Sequence, residues 1–563
     1  MDQLLFEIEA QWKEKRVLLQ GKELLQDDVL RFWSEWQETA CGKVLNATLT
    51  ALEEVTLTRV QVTLPFSLLP SDRIFLNGYQ SWTDSIEQPA AGITMRGVDK
   101  VPRFMLKKYA FDRYGDYHIA RYPDAHGFTY CYRRREESYL LAASLSERSG
   151  FTVFYPDPAR GVLVAEKDCA GLKLEKGACY SAFDLALLCG AEEEVFDAWF
   201  RLMRIPAPNA RLLWGYTSWY QHYQNISESL CSEILADAPP EWQVFQIDDG
   251  WEPAIGDWLA EDTAKFPSGM GTMAEKIKTR DMVPGLWLAP FAAQKNSQLC
   301  REHPGWIVKD EQGEPLLCGS NWGGFYALDF YLPEVRTYLR QVFERVVHQW
   351  GYRLLKLDFL YAVCALPRPD KTRGQIMCEA MDFLRQCAGP AMILACGVPL
   401  GPVFGKVEYC RIGTDVSLRY DDVAYMRLFH RERISTKYSL QNTVWRRQLS
   451  GRAFLNDPDV FLLREEDQKL TPEQREALAL VNALFGDLLF TSDRPSAYAE
   501  PQQKLLDRLR LLRSASEIAV EPGDRERLTF CYTLAEQRHR VTITLKNGAC
   551  REEKIAALSA ESL

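Results

Sequence analysis

Histidine is scarce, with 7 in 563 residues, and none stands in an HExxH or similar metal-ligand spacing. The 15 cysteines include no CxxC pair, so a structural zinc site and a disulfide scaffold are both poor readings. A basic excess is missing too. Lys and Arg number 67 against 77 Asp and Glu, a net charge of -10. An acidic chain repels a phosphate backbone, and no nucleic-acid partner is expected. Long apolar runs are absent. The longest, at 478–490, is broken by Asn482 and Asp487 and is too short to span a bilayer. The first fifteen residues carry acids from position 2 onward and no apolar core, so no secretory leader and no membrane partner are expected, and the expected location is cytoplasmic. Aromatic residues are plentiful by contrast, at 12% with 15 Trp. Flat rings suit the apolar faces of sugars, and they suit ordinary cores equally well.

The first two hundred residues alternate in the manner of strands. VLNATLTALEEVTLTRVQVTLPF (44–66) and FTVFYPDPARGVLVAEKD (151–168) are dense in β-branched and aromatic residues, with turn residues every ten or so positions. That pattern predicts an antiparallel sandwich. After Arg204-Ile-Pro-Ala-Pro the rhythm changes, and the two prolines mark a boundary. From 211 to 492 eight short apolar runs alternate with helical stretches such as 226–238, 333–350 and 472–485. Length and count fit a (β/α)8 TIM barrel, with a doubly wound sheet as the alternative. One helical pattern then precedes LTFCYTL and HRVTITLKNG, which predict a small antiparallel sheet. The expected plan is multidomain, α/β plus β: a β domain over 1–205, a barrel over 206–495 and an antiparallel C-terminal β domain over 496–563.

Barrel active sites lie at the C-terminal ends of the strands. Here those ends are acidic: Asp248-Asp249, Asp358, Asp415, Asp457 with Asp459, and Asp493. Any one Asp reads as a helix cap. Several on one face need cations, a metal or a polyhydroxylated ligand to relieve their repulsion. Asp clusters suit Mg²⁺ or Ca²⁺, yet sugar chemistry fits better, because glycoside cleavage requires two carboxylates with separate roles. No metal and no cofactor are expected. Lys356 and Asp358 are two apart on a strand and share a face. The ammonium keeps the carboxylate ionised, which suits a nucleophile or a plain ion pair. Arg411 and Asp415 are four apart, and a loop acid near Asp421 and Asp422 suits a proton donor. Spacing alone leaves this pairing open. SGMGTMA (268–274) mimics a dinucleotide fingerprint but does not follow a strand directly, and it reads as a helix start.

FQIDDGW, KFPSGM, GLWLAPF, KLDFLYA, LACGVPLGP, RIGTDVS and LNDPD occur in this order. Together they resemble the alpha-galactosidases of glycoside hydrolase family 36, in clan D, and most closely the compact, Thermotoga-like bacterial branch. The resemblance covers most of 210–495 and extends more weakly to NGYQSW. It implies an N-terminal β-supersandwich, a catalytic barrel and a retaining double displacement on a small galactoside or oligosaccharide. It puts Asp358 at the nucleophile position and Asp415 at the acid/base position. Asp248 and Asp249 match residues that hold the galactose 4- and 6-hydroxyls, and Lys356 and Arg411 match sugar-contacting cations. Trp287 matches a pocket wall, and Trp82 an aromatic lent by the β domain. Trp214 and Cys396 are further candidates. Departures are Phe359-Leu360 after the nucleophile, Cys396-Gly397-Val398-Pro399 where larger relatives carry a Cys-Ser-Gly-Gly type loop, and Arg419–Asp422 near the acid/base. The second leaves 2-hydroxyl against 2-acetamido open. The alternatives are an alpha-N-acetylgalactosaminidase, a transglycosylase of the same clan, or a catalytically silent sugar-binding protein. Relatives are often oligomeric, so a homo-oligomer is allowed, with the Trp82 loop able to serve a neighbouring subunit.

Overall fold

The computed structural model describes residues 4–93, 106, 110–122, 124–423, 426–428 and 431–556. Two antiparallel sheets, of seven and eight strands, occupy residues 5–190. Alternation builds them. In Leu5–Trp12, Phe6, Ile8 and Ala10 are buried while the intervening Glu7 and Glu9 sit nearer solvent. Phe6 from one sheet meets Phe32 from the other, with ring centroids 4.7 Å apart, so the inner faces of the two sheets close over one core. Helix Glu192–Met203 follows.

The central sheet is parallel and has nine strands. They are β1 (Leu213–Thr217), β2 (Val244–Ile247), β3 (Val283–Leu288), β4 (Leu354–Leu357), β5 (Met392–Ala395), β6 (Tyr409–Arg411), β7 (Leu455–Asp457), β8 (Val460–Phe461) and β9 (Leu488–Thr491). Their order is β7-β6-β5-β4-β3-β2-β1-β9-β8. β2, β4 and β9 are buried at every position, as expected of parallel strands covered on both faces. The two edges, β7 and β8, are separated in the chain only by Pro458 and Asp459, so the sheet curls back on itself.

The expected eight runs are therefore nine strands, because the seventh is split. Pro458 has no N–H for a ladder, and Asp459 adopts φ 80. Helices Glu228–Ala236, Pro333–Phe343 and Pro472–Phe485 lie where the periodicity predicts them. Pro333 opens the second, and a π-helical stretch, Glu344–Gln349, extends it. Thr471 and Gln474 close a capping box on the third. SGMGTMA is the start of helix Met270–Lys278. One element has no sequence signature: a three-stranded antiparallel sheet (Ala292–Gln294, Leu317–Gly319, Phe325–Ala327) inserted between β3 and β4. After β9 come helix Glu500–Leu512 and a four-stranded antiparallel sheet ending at Ile555.

Candidate active site

Side chains two apart on a strand point the same way, and at the C-terminal ends of the parallel strands this gathers one charged cluster. Gln246 on β2 is followed two residues on by Asp248, and Lys356 on β4 by Asp358, each carboxylate one residue past its strand. The Lys356 ammonium lies 2.8 Å from Asp248 Oδ2 and 4.0 Å from Asp358 Oδ2. Gln246 Nε2 also donates to Asp248 Oδ2, at 3.0 Å. Burial pushes the Lys356 pKa down, but the two carboxylates outweigh it and the net shift is upward. Lys356 is thus a fixed cation.

Asp358 is buried. Its Oδ2 accepts from Trp287 Nε1 at 3.1 Å and its Oδ1 from the Phe359 N–H at 2.8 Å. Burial raises its pKa above the ordinary Asp value. Lys356 opposes that rise, Asp415 adds to it, and Trp287 and the Cys396 thiol oppose it. Phe359, the next residue, is left-handed at φ 53. Such conformations persist only where the surroundings enforce them, and here the chain turns sharply just past the carboxylate.

A second cation organises the opposite side. Arg411 ends β6 and is buried, and its guanidinium meets three carboxylates. Nε donates to Asp457 Oδ2 at 2.8 Å, Nη1 to Asp415 Oδ1 at 2.8 Å, and Nη2 lies 2.7 Å from Asp459 Oδ1. Asp457 and Asp459 are fully buried, whereas the Asp415 side chain is 30% exposed. Asp415 is the member of the trio that can meet a ligand and water.

Asp248 and Asp249 take different paths. Asp248 faces Lys356. Asp249 accepts from Gln224 Nε2 at 3.1 and 3.0 Å and from Trp322 Nε1 at 2.8 Å. Burial raises the Asp249 pKa, with Glu252, Trp322 and Gln224 opposing. Gln224, Glu252 and Trp322 were not singled out by motif. Trp322 rides on the inserted three-stranded sheet, and its indole stands edge-on to Trp287, 6.0 Å away. Trp322→Phe keeps the ring and removes the donor. A hydrogen bond to a charged group contributes about 1.5–3 kcal/mol, so a ligand held by Asp249 should bind about tenfold more weakly, as a binding titration will show.

Trp82 reaches the site from the N-terminal sheets of its own chain. Its Nε1 donates to Cys396 Sγ at 3.3 Å, and its ring stands edge-on to Phe359 at 5.1 Å. The loop carrying it is bolted to the parallel sheet. The buried guanidinium of Arg446 donates to Asn77 Oδ1, to the Gln80 and Ser81 carbonyls, to Ser85 Oγ and to the Ile412 carbonyl just past β6. Asn442 holds Ser85 N–H and the Thr83 carbonyl. Trp82 therefore needs no neighbouring subunit to reach Cys396. Beside it Gly397 is left-handed at φ +55, and a Cβ there would stand 2.8 Å from the Trp82 ring. Gly397→Ala should destabilise the fold by about 1–3 kcal/mol and displace Trp82. A lowered urea midpoint and an altered tryptophan emission measure this.

Trp82, Tyr114, Phe359, Asp415, Asp422 and Glu432 are among the residues lining a cavity of 290 Å³. A larger cavity, 620 Å³, lies beside Asp257, Trp306 and Tyr338, and none of the clustered carboxylates lines it.

The structure brings together Asp248, Asp249, Lys356, Asp358, Arg411, Asp415, Trp287, Trp82 and Cys396. Trp214 is different. It lies near the N-terminal end of β1, pairs with Leu489 and packs edge-on against Phe461. Alternation turns it with Tyr216, away from Thr217 and its partner Gln246. Asp493 is structural as well, accepting from the Leu463 and Arg464 N–H groups, the Arg464 guanidinium and the Tyr498 hydroxyl. Asp421 pairs with Arg433 and Ser435, while Tyr420 donates to the Leu545 carbonyl and ties this loop to the C-terminal sheet.

The melibiase family model matches residues 216–381, the stretch from β1 through β4 and most of the following helix. Residues 216–381 are thus similar to a melibiase domain. Within the curated proteins, the alpha-galactosidase AgaA of Geobacillus stearothermophilus is 33% identical over 149 residues, 25% of this chain and 20% of that protein. The probable alpha-galactosidase C of Aspergillus flavus is 26% identical over 178 residues, 28% of this chain and 23% of its own length. The matched segment thus spans a fifth to a quarter of these relatives. A solved alpha-galactosidase, TtGalA from Thermus thermophilus in complex with p-nitrophenyl alpha-D-galactopyranoside, superposes with a TM-score of 0.71 at 27% identity, covering 92% of this chain and 98% of its own. The same protein in complex with stachyose gives 0.68 at 28% identity, covering 86% and 99%. The resemblance read from the motifs is borne out. The melibiase match contains Asp248, Asp249, Trp287, Lys356 and Asp358. Arg411, Asp415 and Cys396 lie C-terminal to it.

Proposed function

We propose that the protein is a retaining alpha-galactosidase that removes terminal alpha-linked galactose from short galactosides of the melibiose and raffinose type. The observation that carries this is the pairing of two unlike carboxyls: Asp358, buried and oriented by Lys356 and Trp287, and Asp415, held by Arg411 but partly open to solvent. A nucleophile must be fixed and ionised, and an acid/base must exchange protons with water. Asp358 attacks the anomeric carbon while Asp415 protonates the leaving oxygen. Asp415 then takes a proton from the water that releases galactose. Asp248 and Asp249 accept from sugar hydroxyls, Arg411 and Lys356 donate to them, and Trp287 and Trp82 wall the ring. The same proposal takes the curled sheet as a (β/α)8 barrel spanning 206–495, between β domains at 1–205 and 496–563. The ligands of the Thermus structures support galactosides as the substrate class.

The test is hydrolysis of p-nitrophenyl alpha-D-galactopyranoside beside the 2-acetamido analogue. Turnover of the first supports the proposal, turnover of the second alone favours the galactosaminidase alternative, and binding without turnover favours a silent sugar-binding protein. No cofactor takes part in this proposal, in which Lys356 and Arg411 bring positive charge to the clustered carboxylates. Exhaustive EDTA treatment should leave full activity, and loss restored by Mg²⁺ or Mn²⁺ would contradict this.

A further inference from the structure

Arg411 touches three carboxylates, and the reaction proposed above uses only Asp415. Asp457 is a plain anchor, receiving Nε at 2.8 Å and the Asp459 N–H at 2.9 Å. Asp459 is harder to dismiss as structural. It stands at φ 80 immediately after Pro458, where the split strand turns it toward the cluster. It is fully buried, and the groups facing it come from four elements. They are the Arg411 guanidinium from β6, Asp415 and the Val416 N–H from the loop after β6, Asp457 from β7, and the Tyr220 hydroxyl from the helix after β1. Behind Tyr220, Arg464 donates to the Tyr220 carbonyl and pairs with Asp493. One guanidinium cannot neutralise three carboxylates, so a proton is the remaining means of relieving the excess charge.

We propose that Asp459 is a positioning residue that shares one proton with Asp415 across Arg411, and so keeps the acid/base competent through neutral pH. This rests on the assignment of Asp415 as acid/base. Burial, together with Asp415 and Asp457, pushes Asp459 up to about 7, against the pull of Arg411 and Tyr220. Two interacting carboxyls titrate as a pair. While one proton remains on the pair, a constant fraction of molecules carries it on Asp415. Asp415, 30% exposed, is the member of the pair through which this proton exchanges with solvent. Asp415 gives it to the leaving oxygen, and the attacking water returns one in the second step. The alkaline limb of kcat/KM then reports the loss of the pair's last proton rather than of Asp415's own.

The experiment is the pH profile of kcat/KM for melibiose, whose leaving group needs protonation, in the full-length protein. In Asp459→Asn the proton can reside only on Asp415, and the alkaline limb should move to lower pH by about one unit or more. In Tyr220→Phe, Asp459 loses a donor that lowers its pKa, so the limb should move to higher pH while the plateau falls. Opposite displacements establish the shared proton. A limb unmoved in both variants overturns it and leaves Asp459 as an anchor for Arg411. If Asp459→Asn does not fold, Tyr220→Phe decides alone. A ¹³C-carboxyl NMR titration of Asp415 is read without substrate, with the signal identified by its loss in Asp415→Asn. Its midpoint must fall in Asp459→Asn even if the wild type proves inactive on melibiose. An inactive wild type contradicts the proposed function, and an unmoved midpoint contradicts the shared proton.

Discussion

Asp358→Ala will abolish turnover of every alpha-galactoside, by about 10⁴-fold or more, whatever the leaving group. In the proposed mechanism the covalent route passes through this carboxylate, and no neighbour is placed to replace it. Asp248 is bound to Lys356 at 2.8 Å, and Asp415 hangs from Arg411 on the other side. The truncation opens a space in which azide or formate can attack, giving a product of inverted configuration. Asp415→Ala should behave differently. p-Nitrophenolate leaves with little protonation, so the glycosyl-enzyme still forms and accumulates. Melibiose, whose leaving oxygen must be protonated, slows far more. Azide then attacks the intermediate without a base and gives a retained product. Opposite stereochemistry in the two rescues, read by ¹H NMR of the anomeric signal, separates the roles. Reversed outcomes mean that the roles are exchanged, and near-normal rates in both variants mean that neither residue is catalytic.

Lys356→Met should damage stability and catalysis together. The side chain is almost wholly buried between Asp248 and Asp358. Its loss leaves one carboxylate without its cation and the other without its main counter-charge. Breaking a buried pair from one side costs about 3–5 kcal/mol, and the urea midpoint should fall accordingly. Catalysis loses a preorganised charge, and kcat/KM should drop by about 10²–10³-fold. The pH dependence has a definite sign. Burial and Asp415 raise the Asp358 pKa, and Lys356 holds it down. Without the ammonium the carboxyl keeps its proton to higher pH, so the acid limb of kcat/KM moves upward. A limb that stays in place or moves downward would mean that Lys356 does not set the charge state of Asp358.

The charged cluster was legible because the period of a strand is two. Lys356 with Asp358 and Arg411 at a run's end follow from counting, and the structure places them as counted. Trp214 was a candidate by resemblance, not by counting. It belongs to a strand run, but it sits at the wrong end and on the wrong face. Trp322 was out of reach, since its sheet at 292–327 lies between two strands without a periodic signal of its own. The split at Pro458-Asp459 could have been suspected from the proline, yet its consequence depends on β6 and the Tyr220 helix arriving alongside. Trp82 entered by resemblance alone. What holds it in place is Arg446 and Asn442, more than 350 residues along the chain, and local sequence carries no trace of such a contact.

The most direct test of the central claim is to find the covalent bond. Asp415→Ala is mixed with p-nitrophenyl alpha-D-galactopyranoside, quenched in acid while p-nitrophenolate release has outrun galactose release, digested and read by tandem mass spectrometry. One galactosyl residue is predicted on the peptide containing Lys356-Leu-Asp-Phe, attached through Asp358. A galactosyl group on another carboxylate, or turnover with no adduct at all, would contradict the assignment of Asp358 as the nucleophile of a retaining alpha-galactosidase.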